Sequence, residues 1–315
     1  MSAPTLPARP TTQPEPAPGV PITGADRVRG TIARWQRASS PVAGPVATVL
    51  KYLSLVAACL FAITPILTIL MASFKTDKEY RTSGPLTPPK NWFNVDNFVT
   101  AFTQGNMVRG FLNTLIILVI SVVGSVIIGA MTAYALDRFQ FRGKWLVAFG
   151  FLVATFVPGV TTQVATYQVV NAFGLVGTRW SAIVLFMGTD IVSIYIFLQF
   201  MKSIPRSLDE AAMLDGANRL TIFTRIIFPL LKPAIATVVI IKGIAVYNEF
   251  YIPFLYMPQP DLQVISTSLF AFKGPFGSQW QVISAGTILV IVPTLVAFLA
   301  LQRFIYNGLT SGATK

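Results

Sequence analysis

Residues 110–135 read GFLNTLIILVISVVGSVIIGAMTAYA, a run with no charged side chain. Roughly 20 apolar residues in helical conformation cross the hydrocarbon core of a bilayer, so this stretch alone is long enough to span one. Outward from it the pattern repeats at about 47–72, 146–170, 181–201, 234–256 and 281–305. The expected fold is therefore all-α, with six transmembrane helices. Composition agrees: of 315 residues 53% are hydrophobic and 11% charged, against about 25% charged in soluble domains.

Within 110–135, Ser121, Ser125, Gly129 and Ala133 recur every four residues. That spacing sets small side chains in one stripe, a face where a neighbouring helix can approach closely. The third run is interrupted by Val157-Pro158-Gly159-Val160, followed by Thr161, Thr162 and Gln163. Proline removes a helical hydrogen bond, and backbone freed at membrane depth is tolerated only against protein or a water-filled cavity. A packing kink and a break lining a translocation path, with Gln163 on it, both fit.

Two charges fall inside apolar runs: Asp190 near the middle of the fourth and Lys242 near the middle of the fifth. A lone charge there costs about 2.5–3.5 kcal/mol on insertion scales, so each needs a partner, and the two are expected to pair. A structural ion pair and a polar substrate path both remain open for them. Farther along the fifth run come Tyr247, Asn248, Glu249, Phe250, Tyr251, Phe254 and Tyr256. Aromatic faces beside hydrogen-bonding groups suit a sugar, but an interfacial aromatic belt is the simpler reading.

An even number of spans puts both termini on one side. With the N-terminus inside, that side carries sixteen lysines and arginines and the other six, leaving Arg109 and Lys242 within runs. The basic excess marks the cytoplasmic face and assigns it both termini and the segment 202–233, which also explains the net charge of +12 without nucleic acid. Residues 1–45 hold nine prolines, five arginines and no apolar run, the composition of a disordered tail. Val56-Ala57-Ala58-Cys59 resembles a lipoprotein cleavage box, but the chain stays apolar well beyond Cys59.

Several chemistries are excluded by count. The chain has no histidine and one cysteine, so disulfides, imidazole bases and His or Cys metal clusters are absent. It also has no phosphate-cradling loop: Gly143-Lys144 is followed by Trp145, and Arg138 stands where that motif needs its first glycine.

The segment 202–233 is the longest polar stretch between the later runs. Pro205 followed by Ser207-Leu208-Asp209-Glu210 reads as a capping box, with the Ser207 and Glu210 side chains satisfying the first amides of a short helix. Gly216 is placed to end that helix in a left-handed cap. Beyond it, Leu220, Phe223, Ile226, Ile227 and Leu230 form one apolar face of a second helix, and Pro229 and Pro233 turn the chain back toward the bilayer. Ala211 and Ala212 leave room for another protein's groove. A self-contained interfacial helix pair fits these residues equally well.

Glu210-Ala211-Ala212-Met213-Leu214-Asp215-Gly216-Ala217, continuing through Phe223, Ile226, Pro229 and Pro233, resembles the signature loop of the permease subunits of ATP-binding-cassette importers. Weaker segments resemble the carbohydrate-uptake branch and its maltose-type second permease: Pro88-Pro89-Lys90-Asn91, Asn97-Phe98, Asn113-Thr114, the stretch from Ala133 to Gly143, and Tyr247-Asn248-Glu249-Phe250. The resemblance covers about 50–315. It implies a six-helix permease domain over 46–315 in a bacterial plasma membrane, paired with a sister permease. Glu210, Ala211, Ala212, Asp215, Gly216 and Ala217 would form a coupling helix docked into a dimer of ATPase subunits, which bind ATP and magnesium. An external solute-binding protein would deliver a sugar, oligosaccharide or sugar phosphate, with Gln163, Asp190, Lys242, Asn248 and Glu249 as candidate path residues. Tyr247 stands where tryptophan is common in that family, and the charges Asp190 and Lys242 are not part of its pattern. A permease for a non-sugar solute is the alternative, and a secondary transporter a more distant one.

Overall fold

The computed structural model describes residues 45–159, 161–188, 190–274 and 277–310, with side chains from 47 to 300 within those ranges. The expected tail, up to Gly44, and Val160 lie outside the described residues. Two compact units divide the chain, 1–64 and 65–315. The described part of the first is the leading portion of helix α1 (Pro45–Ser73), whose side chains from Ala47 to Ile63 are exposed. A helix satisfies its own backbone, so an apolar, exposed surface of this kind suits lipid.

The second unit is also helical. Short helices α2 (Asp77–Thr82) and α3 (Asp96–Gln104) lead to α4 (Met107–Arg138), the element that carries the uncharged 110–135 run. Then follow α5 (Lys144–Phe156), α6 (Gln163–Ala172), α7 (Arg179–Met187) and α8 (Ile191–Met201). After them come α9 (Ser207–Leu214) and α10 (Arg219–Ile222), the latter running through a π turn, Phe223–Ile227, into Phe228–Leu230. The chain continues as α11 (Lys232–Asn248), α12 (Tyr251–Tyr256), α13 (Ile265–Ser268) and α14 (Trp280–Thr310).

Among the described residues, four stretches are long and apolar enough to cross a membrane: 47–73, 107–138, 179–201 and 280–300. A fifth is gained if Arg219–Leu230 and Lys232–Asn248, bent by 73° against each other, count as one crossing. The third expected run is split as its proline foretold, with α5 ending at Phe156 and α6 starting at Gln163. Two further breaks depart from the sequence reading. The fourth run is divided between α7, which ends at Met187, and α8, which starts at Ile191, and the fifth stops at Asn248 rather than continuing to 256.

Helix α4 is central to the second unit, and the small-residue stripe is the reason. Ser121, Ser125, Gly129 and Ala133 are all buried. A Cβ on Gly129 would lie 3.2 Å from the Phe197 ring and 3.6 Å from Ser193, and one on Gly124 would collide with the Met187 side chain. The Ser125 hydroxyl donates to the Phe186 carbonyl at 3.2 Å. Close approach thus seats α7 and α8 together on α4. At the start of α4, the Asn113 amide donates to the carbonyls of Asp261 and Gln263 at 3.0 and 2.8 Å, and its oxygen accepts from Arg179 Nε at 2.9 Å. The Thr114 hydroxyl accepts from the Ile265 amide at 2.9 Å. Two polar residues at the head of a span therefore fasten a loop about 150 positions away.

Candidate functional site

The segment between α8 and α11 is built from local backbone rules. Helix α9 ends in a Schellman turn: the Gly216 amide donates to Met213 at 3.0 Å and the Ala217 amide to Ala212 at 2.9 Å, with Gly216 at φ 84°. This is the cap its glycine announced. The start of the helix differs from expectation. No side chain caps it, because a preceding turn already supplies acceptors: Leu208 donates to the Pro205 carbonyl, and Asp209 and Glu210 both donate to that of Arg206. Ser207 and Glu210 form no capping box.

Glu210, Ala211, Asp215 and Gly216 are exposed, and Leu214 is 90% exposed. Ala212 and Asp209 instead face inward, at 8% and 3% exposure. Ala212 packs with Ile222, Phe223 and Ile227 rather than offering itself to a partner. The apolar face of the next helix is also shifted. Ile222, Phe223, Ile227 and Leu231 are buried, while Leu220 and Leu230 are exposed. The π turn, Phe223–Ile227, inserts a residue and rotates the later positions out of a 3.6-residue repeat, so Leu231 is buried in place of Leu230. Asn218 caps this helix, accepting from the Thr221 amide at 2.8 Å.

Within the spans, Lys242 Nζ lies 3.2 Å from Asp190 Oδ2, with both side chains about 15% exposed. Asp190 sits at the break and caps α8, accepting from the Ser193 amide at 3.5 Å and from its hydroxyl at 2.6 Å. The pair is formed, and it joins the break at the start of α8 to the interior of α11.

Binding-protein-dependent transport system inner membrane component is the description of the sequence family that matches residues 42–310. The match covers most of the chain. This chain belongs to that family. The permease is 31% identical over 267 residues to the probable starch degradation products transport system permease protein AmyC of Thermoanaerobacterium thermosulfurigenes, covering 84% of this chain and 96% of that one. It is 31% identical over 271 residues to the melibiose/raffinose/stachyose import permease protein MelC of Bacillus subtilis (strain 168), covering 85% and 96%. The solved structure of a bacterial ABC transporter involved in the import of the acidic polysaccharide alginate shares the fold. Its TM-score is 0.70 over 89% of this chain and 98% of that one, at 20% identity. The family and the long apolar helices make the permease a multi-pass membrane protein.

The remaining candidate residues of the permease do not gather in one place. Glu249 Oε1 accepts from the Tyr251 and Ile252 amides at 2.8 and 3.3 Å, so its carboxylate caps α12. Asn248 is exposed and donates to the Ile244 carbonyl of its own helix. Gln163 donates to the Tyr256 hydroxyl at 3.2 Å. Tyr256 is fully buried, against the Tyr167 ring, and leaves the expected aromatic belt, because its hydroxyl has a partner inside. Phe250 stacks with Phe254 and with Phe270, and Phe254 and Phe270 meet at a tilt, all with centroids 5.0–5.2 Å apart.

One feature of the permease escaped the sequence reading. Arg138, the last residue of α4, meets Asp209 with Nε 2.9 Å from Oδ2, both side chains about 5% exposed. The approach is short but off the N–H axis, so it is an ion pair and not a linear hydrogen bond. Its only sequence signal was that both residues lie within recognisable motifs: Arg138 in the stretch from Ala133 to Gly143 and Asp209 in Ser207-Leu208-Asp209-Glu210.

Proposed function

We propose that this chain is the membrane-spanning permease subunit of an ATP-driven importer for a sugar or oligosaccharide, with Glu210–Ala217 as its coupling segment. The observation that carries the coupling role is the exposed helix and Schellman turn, with Glu210, Asp215 and the bare Leu214 projecting from a polar stretch between spans. An apolar side chain 90% exposed beside a rigid turn is the form of an anchor for a partner's pocket. The relatives that transport starch degradation products and melibiose, raffinose or stachyose support the sugar class.

In this reading α5 and α6 together make a sixth crossing, both termini and the coupling segment face the cytoplasm, and Gln163, Asp190, Lys242, Asn248 and Glu249 border the path. A sister permease completes that path. A dimer of partner ATPase subunits binds ATP and magnesium and closes on hydrolysable nucleotide. Its clefts carry the coupling segments with them, and a solute-binding protein delivers the sugar from outside.

Purification of the tagged chain in mild detergent, with mass spectrometry of what accompanies it, tests the assembly. Recovery of an ATPase, a second permease and a binding protein with the native chain, and loss of the ATPase from Glu210→Lys or Gly216→Pro, are expected. A self-paired protein indifferent to both substitutions sinks the importer reading. Sugar binding by the recovered binding protein tests the substrate class, and preference for an amino acid or polyamine would move it to non-sugar import.

A further inference from the structure

Asp209 is the neighbour of Glu210 in sequence, yet it points into the protein while Glu210 points out. Its charge is balanced by Arg138, and neither of its oxygens accepts a hydrogen bond among the described residues. Arg138 also donates to Asp137 Oδ2 at 2.8 Å and to the Ile204 carbonyl at 2.8 Å. Arg206 donates to the Asp137 carbonyl at 2.9 Å. On the far side of the turn, the Tyr134 hydroxyl lies 3.5 Å from the Arg219 carbonyl and its ring 5.2 Å from that of Phe223. The Arg219 guanidinium stands 5.5 Å above the Phe139 ring. The end of α4 therefore grips both flanks of α9, although α9 is joined by the chain to α8 and α10.

The same helix reaches the membrane ion pair. Gly129 of α4 abuts Ser193 and Phe197 of α8, and Ser125 bonds Phe186 of α7, so α4 touches the helices on both sides of the break between α7 and α8. Ser193 is the residue whose hydroxyl bonds Asp190.

We propose that Arg138 and Asp209 are positioning residues that fasten the Glu210–Ala217 segment to α4, making α4 the span that carries its displacement to the break at Asp190. The proposal rests on the coupling role of that segment. A loop joined by peptide links alone can absorb a push through its own dihedrals, whereas a desolvated ion pair resists separation, because parting it leaves each charge uncompensated in the interior. Packed helices then shift as units, since interiors at close-packed density do not deform continuously.

The test uses the complete complex, with ATPase, sister permease and binding protein, in liposomes. Sugar uptake and ATP hydrolysis are measured together for the native chain, Asp209→Asn and Asp209→Glu. In Asp209→Asn the ATPase stays bound and hydrolyses ATP, while uptake per ATP falls about tenfold or more, the size of an ordinary coupling free energy. Asp209→Glu keeps the charge and recovers most of the ratio. In an Arg138→Cys, Asp209→Cys chain carrying Cys59→Ser, joining the two thiols with a short bis-maleimide raises the ratio again. An unchanged ratio in Asp209→Asn overturns the proposal, as does a proportional fall in uptake and hydrolysis, or loss of the ATPase, which makes the pair mere support for the docking face. Failure of the coupling reading itself shows separately, as normal uptake with Glu210→Lys.

Discussion

The ion pairs Asp190–Lys242 and Arg138–Asp209 both join distant parts of the chain, but their carboxylates are held differently. Asp190 receives an amide and a hydroxyl from Ser193 besides the Lys242 ammonium. Asp209 has the Arg138 guanidinium and no hydrogen-bond donor among the described residues. One pair has a second line of support in the two hydrogen bonds from Ser193, while both carboxylates lie at or in the first turn of a helix, where a negative charge is favoured. The other depends on a single cation. Redundancy, rather than separation in ångströms, distinguishes them.

The largest expected effect follows from that dependence. Arg138→Met leaves two largely buried carboxylates, Asp209 and Asp137, without their counter-ion, at a cost of about 3–5 kcal/mol. Thermal unfolding of the detergent-solubilised permease should show a marked fall in Tm, and Arg138→Met with Asp209→Leu should regain the part due to Asp209, since Asp137 and the Ile204 carbonyl still lack Arg138. Lys242→Met comes next, at or below the roughly 2.5–3.5 kcal/mol of a lone intramembrane charge, because Ser193 still serves Asp190. Exchanging the charges, Asp190→Lys with Lys242→Asp, should be milder than either single reversal. If Lys242→Met unfolds the protein as readily as Arg138→Met, the support from Ser193 counts for nothing and the comparison breaks.

The two pairs also differ in how they could be seen in advance. A charge in an apolar run announces its need for a partner, and two such runs held one acid and one base, so Asp190 and Lys242 were legible. Arg138 and Asp209 lie where spans give way to polar chain, and charges there are ordinary. Of the six expected spans, four, or five with the bent pair Arg219–Leu230 and Lys232–Asn248, were legible from length and hydropathy, the α5–α6 break from Pro158, and the turn after α9 from Gly216. The break between α7 and α8 was hidden, because the capping Asp190 looks the same in sequence as a mid-helix acid. The far end of the apolar face that follows α10 was misread at Leu230, since one π turn shifts register without any compositional mark.

Packing supplies the intermediate effect and asks whether α4 is a rigid arm. Gly129→Val forces side-chain atoms into the Phe197 ring, where even a Cβ stands at 3.2 Å. Overpacking of that kind costs about 1–3 kcal/mol. Uptake should fall while the ATPase remains bound, since the altered contact lies far in sequence from the exposed segment. Gly216→Ala is smaller still. A Cβ there meets nothing within 4 Å, so only the left-handed backbone at φ 84° is strained, by about 1–2 kcal/mol. Gly216→Asn, which tolerates that conformation, should lose less, and the order Gly, Asn, Ala in ATPase retention reads out the turn itself.

The smallest effect belongs to a third ion pair, and it sets the scale for the other two. Arg81 Nε meets Asp77 Oδ2 at 2.9 Å, the same distance as Arg138 to Asp209, but with side chains 65% and 51% exposed. Water and salt already solvate both charges, and an i,i+4 pair of this kind contributes about 0.3–0.5 kcal/mol. Arg81→Ala should therefore leave Tm nearly unmoved, and high salt should erase what difference remains. Asp77 keeps a second contact, from Gln281 Nε2 at 3.3 Å, which the substitution does not disturb. Distance is held constant between the exposed and the buried pair, so the contrast between Arg81→Ala and Arg138→Met reads out burial together with the Asp137 and Ile204 contacts that Arg138 also makes. A loss in Arg81→Ala comparable to that in Arg138→Met would show that burial is not what makes the clamp behind α9 strong, and would remove the physical ground for treating it as a stiff link.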